Sequence, residues 1–355
     1  MNADWRLHLA GSLLTFSLRM GLAWAVCVCL NALFRRPDQR FRLWLSYSTG
    51  CAIYWVTVII DVITNPLQSG PVAFAPLGPI RIILSSGWGK GLDLAASLLA
   101  VLYVVVVIIL LARMSLLNAK LRELVRFGQP PSAAFAAATR ELCQEMGIKR
   151  CDMLVLPVIT SPATVYWWNP QILWPEICHK AEYLSESMQI MRHELVHIRR
   201  QDYLISKIEN IICATLFFNP LIWFAKRRMQ IERELASDLA VVEARPDDHR
   251  ADYAASLAHL ARMKREVKDG LAVTFPTPAS SLKKRIRSLL VTSAEPSGAG
   301  QLGQITLALV VTLAGFLVSV RWLSLEFKMV QKPSISRNSE RHPGVAGALG
   351  STPSR

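Results

Sequence analysis

Four long apolar runs set the first limit on what this 355-residue chain can fold into. Leu9 to Phe34 is broken mainly by Arg19. Leu43 to Thr64 is a second run, and Leu94 to Ala112 is a third, built on Val104-Val105-Val106-Val107-Ile108-Ile109. Ile305 to Val320, extended to Leu323, is a fourth. Each is close to the roughly 20 residues that a helix needs to cross the hydrocarbon core of a bilayer. A hydrophobic share of 52% and a mean hydropathy of +0.30 fit the same reading. The first run is too long for a signal-peptide core and lacks a clear small-x-small exit, so it is expected to stay as an anchor.

Basic residues orient the spans. The loop between the first two carries Arg35, Arg36, Arg40 and Arg42 against Asp38 alone, and is expected in the cytoplasm. Residues 65–93 are rich in Gly and Pro, carry only Arg81 and Lys90, and are expected outside. Residues 113–300 then return to the cytoplasm with 26 Lys and Arg against 20 Asp and Glu, a net of +6. The expected layout is three transmembrane helices within 1–112 (about 9–34, 43–64 and 94–112) and a cytoplasmic domain over 113–300. A fourth transmembrane helix over 301–323 and a Ser/Pro/Gly-rich, disordered extracytoplasmic tail over 324–355 follow. The formal charge of +14 raises the nucleic-acid class. No zinc-finger spacing, phosphate-cradling glycine loop or basic heptad region supports it, and the excess sits in loops where it sets topology. The seven cysteines are odd in number and show no C-x-x-C. They point to a reducing compartment and read as small buried hydrophobes.

Within 113–300, helices are expected over Ser115–Phe127 and Ser132–Met146. Short strands are expected over Met153–Pro157, Thr164–Trp168 and Gln171–Pro175, with a turn at Asn169-Pro170. A further helix should begin with Ser185 as N-cap and run through His197 toward Asp202. Leu204 to Ala225, with Lys207, Glu209, Asn210 and a break at Asn219-Pro220, reads as a helix lying at the membrane face followed by a turn.

The chemistry resides in His193-Glu194-Leu195-Val196-His197. On a helix, residues four apart share a face, so both imidazoles can grip one Zn²⁺ with Glu194 beside them as general base. Glu234 follows His197 by 37 residues and supplies a carboxylate third ligand. A catalytic zinc keeps three protein ligands and leaves its fourth position to water. Asp238, four residues past Glu234, is placed to accept a hydrogen bond from the far nitrogen of a ligating histidine. Asp202 reads equally as such a partner or as a helix-end residue. A second donor for a developing oxyanion is not singled out; Tyr203, Arg233 and His249 are the available guesses.

The segments Ile190-Met191-Arg192-His193-Glu194-Leu195-Val196-His197-Ile198-Arg199-Arg200-Gln201-Asp202, Phe217-Phe218-Asn219-Pro220-Leu221-Ile222-Trp223 and Glu232-Arg233-Glu234-Leu235-Ala236-Ser237-Asp238 carry a family resemblance. So does the late basic stretch Leu282-Lys283-Lys284-Arg285-Ile286-Arg287-Ser288-Leu289-Leu290. Together they resemble the BlaR/MecR-type antirepressor metallopeptidases, membrane gluzincins, over roughly residues 1–323. The resemblance implies an α+β, polytopic membrane protein with a zincin-like domain between three N-terminal spans and one C-terminal span. It implies Zn²⁺ held by His193, His197 and Glu234, with Glu194 as catalytic base. The expected activity is a zinc metalloendopeptidase of the bacterial inner membrane, N-terminus outside and catalytic domain cytoplasmic. Implied partners are the lipid bilayer, a cytoplasmic protein substrate such as a winged-helix repressor, and a second copy as homodimer, with no direct nucleic acid. The 32 residues after Leu323 carry no S-x-x-K acylation site. Direct β-lactam sensing is therefore not expected, and a signal would enter through residues 65–93, through a partner protein, or not at all.

Two other readings compete with this one. HtpX/Ste24-like housekeeping proteases place two spans between motif and glutamate, which needs about 40 residues. A non-catalytic scaffold with a closed structural zinc would need a fourth protein ligand, for which Cys178, His179 or Cys213 are available. Tyr166-Trp167-Trp168 and Trp174 read as sheet, core or membrane-interface residues, or as flanks of an edge strand that aligns substrate.

Overall fold

Each of the first three apolar runs lies in a helix longer than itself. The computed structural model describes residues 4–64, 80–85, 89–244, 249–266, 279–291 and 325–330. Helix α1 covers Asp4–Leu33, α2 Pro37–Thr64 and α3 Gly89–Arg126. All three are long and apolar enough to cross a membrane. Helix α2 opens on Pro37, where a missing N–H costs nothing because first-turn donors have no intrahelical partner. Helix α3 has 38 residues, about 57 Å at 1.5 Å per residue, against a hydrocarbon core of about 30 Å. The third span and the helix expected from Ser115 are therefore one element. No Gly or Pro separates Ala112 from Ser115, and the domain boundary drawn at 112 falls inside α3.

The protruding end of α3 packs on a small sheet. Strands β2 (Asp152–Leu156), β3 (Ala163–Val165) and β4 (Gln171–Pro175) lie in the order β2-β4-β3, with β2 parallel and β3 antiparallel to β4. One face packs Leu156, Ile159, Val165 and Leu173 against Leu121, Leu124 and Val125 of α3. The other packs Met153, Ile172 and Trp174 against Phe135 and Leu142 of α4 (Ala133–Glu145) and Ile190, Met191 and Leu195 of α5 (Leu184–Arg199). Strand β3 stops at Val165, not at Trp168 as expected. Tyr166 takes a left-handed φ of 63° that breaks the ladder, and Trp167 and Trp168 stand exposed. The start of α5 also differs. A 3₁₀ turn at Ala181–Tyr183 feeds straight into it, so Tyr183 and not Ser185 occupies the N-cap.

After α5, Gln201 adopts φ 55° and reverses the chain into α6 (Asp202–Thr215). The break at Asn219-Pro220 is where the sequence placed it, and α7 (Pro220–Glu243) follows. This hairpin packs directly on the first two long apolar helices. Ile212, Cys213, Leu216, Ile222, Ala225 and Met229 join Phe16, Met20, Tyr47, Cys51 and Trp55 of α1 and α2 in one buried cluster. Phe218 stacks among Phe16, Trp55 and Tyr103, and the Tyr103 hydroxyl donates to the Thr215 carbonyl at 3.0 Å. Aromatic cover on three sides and a partner for a helix-end carbonyl make the insertion affordable. Helix α7 then runs antiparallel to α2, with Ser48 donating to Met229 Sδ at 3.4 Å and Arg36 paired with Glu243 at 3.0 Å.

Helices α8 (Arg250–Glu266) and α9 (Ala279–Val291) close the far side, packing Tyr253, Ala254, Leu257 and Leu289 on Val196 and Val241. A separate parallel pair joins β1 (Ile80–Ser85) to β5 (Leu325–Val330), Ile82 opposite Phe327. Strand β5 falls in the segment expected to be disordered; its L-E-F-K-M-V alternation precedes the Ser/Pro-rich composition that dominated that expectation. The expected fourth span, 301–323, and residues 331–355 lie outside the described residues.

The elbow yields a prediction. The Asn219 side chain accepts from the Leu221 N–H at 3.0 Å and its amide donates to Met20 Sδ. Asn219→Ala should remove the cap and cost about 1 kcal/mol, read as a lowered Tm of the detergent-purified chain. An unchanged Tm would mean that the cap contributes nothing there.

Candidate metal centre

Helix α5 carries His193 and His197 on the face turned toward α7, and α7 returns Glu234 to them. The two Nε2 atoms are 3.1 Å apart, with Glu234 Oε2 3.6 Å from His193 Nε2 and Glu234 Oε1 3.8 Å from His197 Nε2. Ligands bound tetrahedrally at about 2.0–2.1 Å lie about 3.4 Å from one another, so these three donors fit the edges of one zinc coordination sphere. Two imidazole nitrogens and a carboxylate are also the donor types zinc takes in open sites.

The outward nitrogens are fixed. His193 Nδ1 lies 3.0 Å from Asp238 Oδ1 and 2.9 Å from the Tyr253 hydroxyl, which donates to Asp238 Oδ1 at 2.7 Å. His197 Nδ1 lies 2.7 Å from Asp202 Oδ2. Each imidazole thus gives its Nδ1 hydrogen to a buried carboxylate and turns Nε2 inward, the orientation that ligating histidines need. The left-handed turn at Gln201 is what brings Asp202 back onto His197 although it opens the next helix.

Charge explains the rest. Burial and the Arg285 guanidinium both disfavour an imidazolium at His193, yet its bonds to Asp238 and Glu234 outweigh them and hold its pKa up at about 9. Burial would raise Glu234, but His193, Arg285 and His197 together depress it below the usual carboxylate range. Arg285 of α9 grips Asp238 with both nitrogens at 2.7 Å and reaches Glu234 Oε2 at 3.2 Å and His193 Nε2 at 3.3 Å. Burial pushes the Tyr253 phenol well up, and Asp238 adds to it, so it stays a neutral donor.

Glu194 is buried beside His193. Its Oε2 accepts from Thr164 Oγ1 of β3 at 2.9 Å. Among the described residues, His193, His197 and Glu234 are the one group of such donors close enough to hold an ion. Cys178 is buried in the sheet core, Cys213 in the α6–α7 elbow, and His179 accepts from the Ser132 N–H, so none of the fourth ligands a closed site would need is there. Tyr203 packs on Tyr166, Arg233 pairs with Glu209 at 3.5 Å, and His249 pairs with Asp252. Tyr253, Arg285 and Thr164 were not singled out by the sequence. Arg285 lies inside the basic stretch that carried the resemblance; nothing local marks Tyr253 or Thr164, which reach the site only through tertiary packing.

Tyr253→Phe should leave the fold intact and loosen the metal about 10–100-fold, measured by zinc competition with a chromophoric chelator. Unchanged retention would show that Asp238 holds His193 without the phenol.

Comparison with known proteins assigns a family. The family model described as BlaR1 peptidase M56 matches residues 90–289, from the start of α3 nearly to the end of α9. The regulatory protein BlaR1 of Bacillus licheniformis is 28% identical over 158 residues, which is 44% of this chain and 26% of that protein. The match therefore spans about a quarter of the relative's length. M56 peptidases are metallopeptidases, and the His-His-Glu group here supplies the donors for a metal. With a family match over more than half of its length and three apolar helices long enough to span a bilayer, this chain is a membrane protein that belongs to the BlaR1 peptidase M56 family.

Proposed function

We propose that the chain is an integral-membrane zinc endopeptidase that cleaves a cytoplasmic protein, a transcriptional repressor being the leading candidate, to pass on a signal. The observation that carries this reading is the convergence of His193 Nε2, His197 Nε2 and Glu234 with Glu194 beside them. The zincin-like fold and the cytoplasmic side of the domain belong to the same proposal. The basic α1–α2 turn favours that side, and the pairing of β1 with β5 fits residues 80–85 and 325–330 sharing the opposite one.

His193, His197 and Glu234 would hold zinc, which when bound acidifies a water molecule and polarises a carbonyl. Glu194 takes the proton from the attacking water and delivers it to the leaving amine. Thr164 aims the Glu194 carboxylate by donating to Oε2 and also to the Glu194 carbonyl at 3.2 Å. Arg285 and His193 keep Asp238 ionised against its burial, and Asp238 with Tyr253 orients His193. Strand β3 is one of the two edges of this sheet, and the β2 edge is bridged by Gln129 at Val155, so a substrate segment adding to β3 as a strand passes Glu194. Helix α6 has 14 residues, about 21 Å, too short to span a bilayer, which disfavours the two-span housekeeping arrangement.

Glu194→Gln should retain zinc and abolish cleavage, and Thr164→Val should retain zinc and slow cleavage by about tenfold. Comparing new protein N-termini in wild-type and Glu194→Gln cells names the substrate. Cleavage that persists in Glu194→Gln at the wild-type rate would remove the endopeptidase reading.

A further inference from the structure

A cavity of about 380 Å³ opens between α1, α2, α7 and α9, within the roughly 300–1,000 Å³ range of small-molecule sites. Its walls divide by chemistry. Trp24, Val28 and Trp44 come from two of the spans, and Phe224 faces them from α7. Arg227 and Arg228 from α7 and Lys284 from α9 supply the charge. Among the described residues no hydrogen bond or ion pair engages these three cations. Buried Glu232 is paired with Arg40 of α2 at 3.9 Å and lies within Coulombic reach of Arg228 and Lys284, so the one acid nearby already has a cation of its own.

The depth of the cavity identifies the occupant. Trp24 precedes the α1–α2 turn at Phe34 by ten residues and Trp44 follows Pro37 by seven, about 10–15 Å from that turn. Trp24 is partly exposed, and tryptophan at such a depth marks the headgroup level of a bilayer, where basic pockets between spans bind anionic headgroups; Trp44 is buried and donates its indole N–H to Asn31 at 3.1 Å. A free anion would use only the three cations and leave the aromatic wall bare. A peptide would have to enter between two spans.

We propose that this cavity, where Trp24 and Trp44 of the spans face Arg227, Arg228 and Lys284, binds the phosphate headgroup of an anionic phospholipid. The position has a consequence for the metal centre. Phe224, Arg227, Ile231, Glu234 and Asp238 follow one another at spacings of three or four, so the cavity and the metal group lie along one face of α7. Lys284 precedes Arg285, which grips Asp238. One lipid would therefore tie α7 to α9, the two helices that bring Glu234 and Arg285 together. This inference rests on the cavity and does not require the peptidase reading.

The test is native mass spectrometry of the full chain after exchange into mixed micelles carrying either phosphatidylglycerol or phosphatidylcholine. Wild type should retain one phosphatidylglycerol in preference to phosphatidylcholine, by on the order of tenfold or more. The triple variant Arg227→Gln, Arg228→Gln, Lys284→Gln should lose that preference. Arg122→Gln with Arg126→Gln, in the last turns of α3, should keep it. Ile231→Trp keeps every charge and fills the cavity, so it should also lose the lipid. Equal retention by the triple variant, or equal loss in the Arg122/Arg126 pair, overturns the site. Displacement of the lipid by millimolar inorganic phosphate, or by a short glutamate peptide, overturns the lipid assignment in favour of a free anion or an acidic chain.

Discussion

One carboxylate organises the centre of this molecule. Asp238 is buried, and it receives His193 Nδ1, the Tyr253 hydroxyl and two nitrogens of Arg285. Those partners come from α5, α8 and α9, while Asp238 itself is on α7. The buried charge is offset chiefly by Arg285 and His193. Removing one side of a buried pair costs about 3–5 kcal/mol, because the other is left uncompensated. The helix packing around α5 is thus tied to the orientation of one imidazole, and the metal group exists only when four helices are docked together.

The same helices join that centre to the spans. Helix α7 begins in the aromatic cluster of Phe16, Trp55 and Tyr103, passes Ser48 of α2, and reaches Glu234 before it meets Arg36 at Glu243. At the end of α5, Arg200 approaches Asp202 at 3.6 Å, bonds Ser237 at 3.3 Å and lies 5.0 Å over the ring of Phe41 on α2. Asp202 in turn holds His197. A shift of α1 or α2 would therefore act on both histidine anchors through rigid contacts. This gives a physical route by which an event in the spans could change the geometry of the site.

Much of the site was legible because helical spacing is local. Two histidines four apart and two acids four apart report their own faces, and the structure brings those faces together. Asp202 was ambiguous because its role depends on the left-handed turn at Gln201, which no residue type signals there. Tyr253 and Thr164 were not legible, since each reaches the site from a distant element. The α6–α7 hairpin was read as superficial because Lys207, Glu209 and Asn210 looked too polar to enter among the spans. In the structure Arg233 pairs with Glu209, and the side chains of Asn118 and Asn210 accept from Lys207 and Lys226. These contacts let the polar residues of the hairpin pack beside the long apolar helices.

X-ray absorption at the zinc edge on the purified full-length chain is the most direct test of the three-donor convergence. The account predicts one zinc per chain with nitrogen and oxygen neighbours alone at about 2.0–2.2 Å, two of them imidazoles, and a neighbour lost in Glu234→Ala. A sulfur neighbour at about 2.3 Å, an unchanged shell in that variant, or a chain that takes up no zinc would contradict it.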